Sequence, residues 1–108
     1  MLYVSSLGTE YQVDFVKSRY FHGDRLYIGA CLDNGEISLL DITVNLPDAP
    51  LPEGNFAFLN VDKIDKNMKE LLKDKYEEIG YSYVSGFVTY PAVEFSEEFV
   101  QSLEALYD

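Results

Sequence analysis

The dipeptide Asn34-Gly35 is the feature that most constrains the fold of this chain. It stands between two runs of alternating apolar residues, RLYIGACL at 25–32 and EISLLDITV at 36–44. Asn-Gly between such runs is a strong signal for a type I′ turn, because both central residues of that turn need a positive φ. We therefore predict a β-hairpin over residues 25–44, with its register set by the dipeptide.

The alternation of side chains gives each arm of this hairpin a buried face. The first arm places four apolar residues on one face: Leu26, Ile28, Ala30 and Leu32. The second arm turns three apolar residues toward the core, namely Leu40, Ile42 and Val44, and points Asp41 and Thr43 outward.

Residues 36–61 form the stretch around which the rest of the chain is organised. Its middle part, NLPDAPLPEG at 45–54, contains three of the four prolines. Each proline fixes its own φ and restricts the residue before it, so this segment is predicted to be a stiff, extended loop. The apolar run from Phe56 to Val61 then predicts a short buried strand.

The flanking segments predict one further strand and a helix. Residues 10–20, EYQVDFVKSRY, alternate as a half-buried strand does, and the turn His22-Gly23-Asp24 follows. Residues 62–79 have helical spacing, with Asp62 or Asp65 as the N-cap and Gly80 as the closing residue. The apolar stripe of this helix consists of Ile64, Met68, Leu71, Leu72, Tyr76 and Ile79.

The C-terminal third predicts strands followed by a second helix. Residues 81–95 read as one or two strands, interrupted at Ser85-Gly86 and again at Pro91, where proline implies an edge strand or a bulge. Ser96 caps the final helix, whose buried face is formed by Phe99, Leu103 and either Leu106 or Tyr107. The expected fold is a single α+β domain over residues 1–108, with about five strands in a mostly antiparallel, meander-like sheet and two helices packed on it.

The charge of the chain is strongly negative and unevenly distributed. Nineteen acidic residues against eight basic ones give a formal net charge of −11. Residues 20–61 hold six acids and one arginine, and residues 79–108 hold five acids and no basic residue. Such a field repels nucleic acid and attracts cationic partners. We therefore expect no direct binding to nucleic acid, which requires a basic patch.

The composition also bears on location. No apolar run approaches the ~20 residues of a membrane span, and residues 1–11 have no basic residue ahead of an apolar core, as a secretory signal would. The one cysteine, Cys31, makes no internal disulfide, which suits a reducing compartment. We expect a cytoplasmic protein that has no contact with a membrane.

Catalytic, metal and cofactor sites are not predicted. Cys31 with His22 as its base is the boldest enzymatic interpretation, but no motif surrounds either residue, and a strand thiol beside a turn histidine is favoured. His22 with Asp24 falls short of a metal-ligand set, and the glycines match no phosphate-binding loop. We expect a protein that is not an enzyme and that carries no cofactor.

The nine tyrosines leave two interpretations open. They cannot all lie in the core, because each buried hydroxyl needs a hydrogen-bond partner. Some either pack on the surface of the sheet or contact a partner protein. The candidates for an interface are Tyr81, Tyr83, Tyr90 and Tyr107.

Two blocks of sequence carry a resemblance to a known family. They are DITVNLP with AFLNVD, at 41–47 and 57–62, and SGFVTYPAVEF at 85–95, whose most specific part is the spacing Ser-Gly-Phe-x-x-Tyr-Pro-x-x-x-Phe. The chain resembles a family of short bacterial proteins, a domain of unknown function carried largely by plasmids, conjugative elements and phages. The resemblance implies no catalytic residues. It implies a mobile-element neighbourhood, where accessory proteins often act on host defence or on element maintenance.

Charge and resemblance together give the first functional hypothesis. The chain is an acidic binding protein that inhibits a host nucleic-acid-handling defence system, of the anti-restriction or anti-CRISPR type. Its carboxylates would occupy the basic surface of a host nuclease or effector in place of phosphates. The candidate acids are Asp41, Asp48, Glu53, Glu94, Glu97, Glu98 and Glu104.

The second hypothesis is a structural or regulatory accessory protein that acts through protein–protein contacts. It would be a monomer, or a homodimer formed through the strand of Pro91 or the last helix. In that case the charge serves solubility alone.

Overall fold

The computed structural model describes residues 1–106, which form nine strands and two helices in an α+β arrangement. The α+β fold and its antiparallel character were predicted correctly, but there are more strands than expected and they form two sheets. The elements are β1 (Leu2–Val4), β2 (Glu10–Arg19), β3 (Leu26–Asp33), β4 (Ile37–Asp41), β5 (Thr43–Val44), β6 (Phe56–Leu59), α1 (Lys66–Leu72), β7 (Tyr76–Ser85), β8 (Val88–Phe95), α2 (Glu97–Ser102) and β9 (Glu104–Ala105).

The first sheet, sheet A, contains the predicted strand and hairpin. Its order is β1-β2-β3-β4, all antiparallel, and β9 pairs in parallel with β2. The hairpin is confirmed, but its turn is not type I′. Asp33 pairs with Ile37, which leaves a three-residue loop, and Gly35 alone has a positive φ there, at 106°. The Asp33 carboxylate accepts from Gly35 N at 2.9 Å and so supports this wider turn.

The chain passes from sheet A to the second sheet, sheet B, at Ile42. Ile42 N donates to Ile28 O at 2.9 Å, and Ile42 O accepts from Asn60 N at 2.8 Å. This change of sheet makes one prediction wrong, because Thr43 is buried instead of pointing outward. Its hydroxyl oxygen is hydrogen-bonded to Tyr20 Oη at 2.8 Å and accepts from Ile28 N at 3.2 Å, so burial leaves no polar atom of that side chain unsatisfied.

Sheet B has the order β5-β6-β8-β7, and the proline loop covers one of its faces. Ala49 from the loop is buried against Phe58 and Ala92 of the sheet. The Arg25 guanidinium holds the loop in place, since Nη1 donates to Leu46 O at 2.8 Å and Nη2 donates to Ala49 O. The stiff loop predicted at residues 45–54 therefore acts as a cover for sheet B.

The helix predicted over residues 62–79 is much shorter in the structure. It spans only Lys66–Leu72, with Asp65 as its N-cap accepting from Met68 N at 2.9 Å. From Tyr76 the chain is the strand β7, because pairing with β8 satisfies this backbone instead. The residues of the predicted apolar stripe are buried or half-buried as far as Leu72. Beyond the helix, Tyr76 is half-buried and Ile79 is exposed.

Gly80 and Pro91 have roles that differ from those expected. Gly80 does not close a helix; it has φ 79° inside β7, where residues 79–81 lie opposite the single residue Ala92. Pro91 lies in β8, an inner strand of the sheet, so the edge-strand alternative was wrong. A bulge is present, but it lies in the partner strand β7 and not at Pro91 itself. Pro91 pairs with Ser82 directly beyond it, and β8 runs through Pro91 without the predicted interruption.

The main core lies between the two sheets and is closed by both helices. Met68 and Leu72 of α1 and Phe99 and Val100 of α2 join the inner faces of both sheets in it. Ser96 caps α2 as predicted, accepting from Phe99 N at 3.2 Å. Leu106 lies beyond α2 and is not part of its buried face, and Tyr107 falls outside the described residues. None of the helices in residues 1–106 has the length and apolar content to span a membrane.

Candidate functional site

Five carboxylates gather where β7, β8 and α2 meet, and we call this set the acidic wall: Asp74, Glu77, Glu94, Glu97 and Glu98. Four of them, all but Glu98, line a depression of about 390 Å³. Glu98 and Asp74 line a neighbouring depression of about 320 Å³. Ser96 and Lys75 border both depressions, so the five acids surround the start of α2.

Strand pairing brings the first members of the wall together. Glu77 of β7 is directly opposite Glu94 of β8, and Phe56 of β6 flanks Glu94 on the other side. Opposite residues on paired strands have Cβ atoms about 5 Å apart, so these two carboxylates share one face at close range. Like charges in that position destabilise a sheet.

The turn into α2 brings the other members. Ser96 N donates to Lys75 O at 2.9 Å, which fixes the start of α2 beside the segment that contains Asp74. The Ser96 cap then places Glu97 and Glu98 in the first turn of the helix. The partial positive charge of a helix N-terminus offsets part of the repulsion among them.

Within residues 1–106 the carboxylates of the wall form no ion pair, although Lys75 borders both depressions. Among the described residues the ion pairs are Lys63–Asp62 at 3.7 Å and Lys73–Glu70 at 2.7 Å, and both lie outside the wall. Glu97 instead accepts from neutral donors, Asn55 Nδ2 at 2.7 Å and Gln101 Nε2 at 3.0 Å. The carboxylates of residues 1–106 form no group that could hold a metal ion. The wall is therefore suited to multivalent contact with a cationic surface.

The other predicted acids do not join the wall. Asp41 ends β4 and accepts from Tyr27 Oη at 2.6 Å. Glu53 borders a depression of about 460 Å³ that Arg19 and Arg25 also line. Asp48 is exposed in the proline loop, and Glu104 lies on β9, beside β2. The structure thus brings together Glu94, Glu97 and Glu98 from the predicted set and leaves the other four dispersed.

Two members of the wall were missed by sequence reasoning. Asp74 and Glu77 fall within residues 62–79, which were predicted to form one long helix, and neither belongs to its apolar stripe. The signal for their true setting is weak, since only the pairing of Tyr76 with Phe95 and of Glu77 with Glu94 makes this segment a strand. Their contribution to the wall follows from the fold and not from local sequence.

Three of the predicted interface tyrosines take part in packing on sheet B. Tyr81, Tyr83 and Tyr90 are half-buried around Phe58, whose ring centroid lies 5.9 Å from that of Tyr81 and 6.2 Å from that of Tyr83. They help to form the small core under the proline loop. The fourth candidate, Tyr107, lies outside the described residues.

Among residues 1–106 the most exposed aromatic side chains are two phenylalanines that were not predicted as interface residues. Phe87 stands at the tip of the β7–β8 hairpin, and Phe21 stands in the turn between β2 and β3, both with essentially no cover. The local signal for each was its place in a glycine-containing turn, next to Gly86 for Phe87 and near Gly23 for Phe21.

The paired cysteine and histidine of the enzymatic interpretation are not assembled. Cys31 is half-buried in the middle of sheet A, opposite Asp14 and Leu39. His22 is exposed in the turn that precedes β3, against the ring of Phe21. Cys31 is five residues along β3 from Leu26, roughly 17 Å at the rise of a strand. At that separation the His22 imidazole is far beyond hydrogen-bond distance of the Cys31 thiol and cannot act as its base.

Comparison with known families gives one result. Residues 15–105 match the family described as "Domain of unknown function (DUF4313)". The chain belongs to this family. The matched range runs from within β2 to the end of β9 and contains the whole acidic wall. No curated protein and no solved structure matches the chain.

Proposed function

We propose that this protein is an acidic, non-enzymatic binding protein that covers a basic, nucleic-acid-binding surface of another protein. The observation that supports this best is the acidic wall, whose five carboxylates lie together without ion-pair partners among residues 1–106. The partner supplies lysine and arginine side chains, and the wall supplies charges in the places where phosphates would bind.

The physical basis is the correspondence between the wall and a nucleic-acid backbone. A groove that binds nucleic acid obtains most of its affinity from cationic side chains that neutralise closely spaced phosphates. The wall offers closely spaced negative charges on a rigid support, because Glu77 and Glu94 are held by paired strands and Glu97 and Glu98 by a capped helix. Like charges directly opposite cost about 0.2–1 kcal/mol on a sheet, a cost that binding to a cationic partner would offset.

The finer form of the proposal concerns the biological setting. The resemblance to proteins of plasmids, conjugative elements and phages supports a role in the cytoplasm of a bacterial host. There the target would be a restriction or CRISPR nuclease, and inhibition would favour the mobile element. The dispersed acids Asp41, Asp48, Glu53 and Glu104 would contribute to the long-range field that steers encounter and not to the contact itself.

A second candidate is a structural or regulatory accessory protein that acts through an apolar contact. The exposure of Phe87 at the tip of the β7–β8 hairpin favours it, because an aromatic anchor often dominates the energy of an interface. Light scattering after size-exclusion chromatography tests the homodimeric form. Loss of the dimer in Phe87→Ala would support this candidate.

The test of the main proposal is a DNA-cleavage assay with a restriction endonuclease and a CRISPR effector nuclease from a host of such elements. The wild-type protein is expected to inhibit at least one of them at low ionic strength, and to inhibit less as salt rises and screens the charges. The triple variant Glu94→Gln, Glu97→Gln, Glu98→Gln is expected to inhibit about tenfold less, because three exposed charge pairs at about 0.5 kcal/mol each contribute about 1.5 kcal/mol.

A matched control separates the wall from net charge. The variant Glu10→Gln, Asp14→Asn, Asp24→Asn removes the same number of charges from exposed positions on sheet A and its adjoining turn, and it should inhibit as the wild type does. Equal weakening in both triple variants would mean that net charge and not the wall is responsible. Absence of inhibition of either nuclease at low salt would contradict the proposal.

A further inference from the structure

The strand β4 (Ile37–Asp41) is an unpaired edge of sheet A. It pairs with β3 on one side, and within residues 1–106 no strand pairs with its other side. Edge strands expose unsatisfied backbone donors and acceptors, which can accept a further strand. The other long edge of the fold, β7, is interrupted by the bulge at residues 79–81, which disfavours such pairing. β4 has neither a bulge nor a proline nor a lysine.

The hydrogen-bond pattern shows which backbone groups point outward. Ile42 N donates to Ile28 O at 2.9 Å, and Asn34 N donates to Glu36 O at 3.4 Å. Because residues of an antiparallel pair alternate between bonded and non-bonded positions, the N–H and C=O groups of Ile37 and Leu39 point away from β3. The edge ends at Asp41, whose carbonyl accepts from Asn60 Nδ2 at 3.0 Å.

The side chains beside these groups are apolar and exposed. Ile37 is 78% exposed and Leu39 is 49% exposed, and both lie on the outer face of sheet A. Leu39 also borders a shallow depression of about 290 Å³ together with Tyr27 and Phe21. The edge therefore offers two backbone hydrogen-bonding positions next to a continuous apolar strip.

The charges around the edge favour a cationic occupant. Glu36 precedes β4, Asp41 ends it, and Asp33 lies opposite Ile37, all of them exposed. Against these three acids stands one basic residue, Arg19, which lines the depression beside Leu39. A second copy of the chain is disfavoured, since an antiparallel pair centred on Leu39 would place Asp41 of each copy opposite Ile37 of the other, one residue from Glu36, and would bring four acids to one seam. Each copy also carries a net charge of −11, which adds long-range repulsion.

We propose that β4 binds an extended basic segment of a partner protein as an added strand. The backbone groups of Ile37 and Leu39 pair with the segment, its apolar side chains pack on the Ile37 and Leu39 side chains, and its lysines or arginines lie near Glu36 and Asp41. These residues lie outside the acidic wall, so the inference stands whether or not the wall binds a nuclease.

The test uses a synthetic peptide, Lys-Val-Thr-Val-Lys, and measures amide hydrogen exchange in the full chain by NMR. Saturating peptide is expected to slow exchange at Ile37 and Leu39 about tenfold, since both amides gain a hydrogen bond. A peptide with glutamate in place of both lysines should produce no slowing. Equal slowing by the two peptides, or none with the first, would overturn the proposal.

Two variants test the geometry of the edge. Leu39→Pro removes an outward N–H but no bond to β3, and it should weaken binding of the peptide about tenfold. Leu39→Lys keeps every backbone group and repels the basic peptide, so it should weaken binding even if the proline variant does not fold. Its control, Val84→Lys, makes a similar change at an exposed position on β7 and should bind normally.

The oligomeric alternative has its own outcome. Slowed exchange at Ile37 and Leu39 that appears without peptide and grows with protein concentration would identify a second copy as the occupant. That result would overturn the proposal of a basic partner segment. Concentration-independent exchange in the absence of peptide is the result expected here.

Discussion

The two hairpins β3–β4 and β7–β8 are built alike but expose different chemistry. Each is an antiparallel pair whose one strand forms an edge of its sheet. The β3–β4 hairpin is regular, and its edge presents apolar side chains and unpaired backbone groups. The β7–β8 hairpin contains a bulge and sets Glu77 opposite Glu94. One hairpin is suited to pairing through its backbone, and the other is suited to contact through charge.

The glycines of the two hairpins show the same contrast in physical terms. Gly29 of β3 is required by close approach, because a Cβ there would lie 2.5 Å from Tyr27 Oη and 3.0 Å from Leu39 Cδ1. Gly80 of β7 has open space around it but a φ of 79° that side chains rarely adopt. The regular hairpin thus depends on packing over its face, whereas the irregular hairpin depends on backbone conformation.

The largest expected effect tests the cover over sheet B. Phe58→Ala should lower the free energy of unfolding by about 3–5 kcal/mol, because it empties the core between the sheet and the proline loop. Phe87→Ala, on the β7–β8 tip of the same sheet, should change it by less than about 0.5 kcal/mol. Urea denaturation of both variants measures this. Similar losses in the two variants would contradict the account, since the core under the proline loop would then stabilise sheet B no more than the hairpin tip does.

The glycine contrast gives the next prediction. Gly29→Ala and Gly80→Ala should each destabilise the protein by about 1–3 kcal/mol, the first through steric overlap and the second through backbone strain. Asparagine tolerates a positive φ, so Gly80→Asn should recover part of the loss, whereas Gly29→Asn should be worse than Gly29→Ala. Thermal denaturation of the four variants distinguishes the two causes. If asparagine restored stability at position 29 and not at position 80, backbone strain would be the cause at Gly29 and steric overlap the cause at Gly80, the reverse of this account.

Alkaline pH should act on the face of sheet A near the β3–β4 hairpin. Burial raises the pKa of Tyr20 to about 12, with the nearby Asp41 charge adding to the shift and the Thr43 hydrogen bond opposing it. Burial, followed by the hydrogen bond to Asp41, also raises the pKa of Tyr27. The stability that these neutral phenols provide is fully present below pH 10 and is lost as pH rises through their folded pKa values.

The expected loss for Tyr20 is about 1 kcal/mol per pH unit above pH 10, since one pKa unit corresponds to 1.36 kcal/mol. Urea denaturation between pH 9 and pH 11 measures it, and Tyr20→Phe should reduce the slope. A wild-type stability that is constant over this range would contradict the burial of these hydroxyls.

The smallest effect concerns the opposed carboxylates of β7–β8. Glu94→Gln should raise the free energy of unfolding by about 0.2–1 kcal/mol at low salt, because it removes a like charge opposite Glu77. The gain should vanish near 1 M salt, where the screening length is about 3 Å. Glu10→Gln, at an exposed position near the start of β2, is the control. If Glu94→Gln instead lowers the free energy of unfolding, the repulsion between Glu77 and Glu94 does not destabilise the sheet.

The difference between the hairpins also decided which one the sequence could predict. The pattern around Asn34-Gly35 is local and brings the two strands together by itself, so the first hairpin was predicted correctly. Its predicted register was wrong by one residue, because the three-residue loop pairs Asp33 with Ile37 instead of Glu36. Residues 76–80 satisfy a helical pattern equally well, and only their pairing with β8 makes them a strand. Gly80 was then taken for the end of the helix, because glycine adopts a positive φ easily and is common both after helices and in bulged strands.

The candidate site was predictable to the same extent. Glu94, Glu97 and Glu98 lie near one another in sequence and remain together in the fold. Asp41, Asp48 and Glu53 are also close in sequence, but the change of sheet at Ile42 and the folded-back loop send them to different surfaces. The wrong prediction for Thr43 has the same cause. Alternation along one strand predicted an outward side chain, but the chain changes sheet at Ile42 and Thr43 is buried.

The central claim is that the two hairpins carry two separate interaction surfaces, one made of charge and one made of backbone groups. The most direct test is NMR of the full chain with two probes, hexalysine and the peptide Lys-Val-Thr-Val-Lys, at low salt and near 1 M salt. Hexalysine should shift the amides of Glu77, Glu94 and Glu97, and these shifts should vanish at high salt. The strand peptide, at a saturating concentration, should still protect Ile37 and Leu39 there through backbone pairing, although its affinity should fall as salt screens its lysines from Glu36 and Asp41. Hexalysine shifts that persist at high salt, or protection of Ile37 and Leu39 that disappears with them, would contradict the claim.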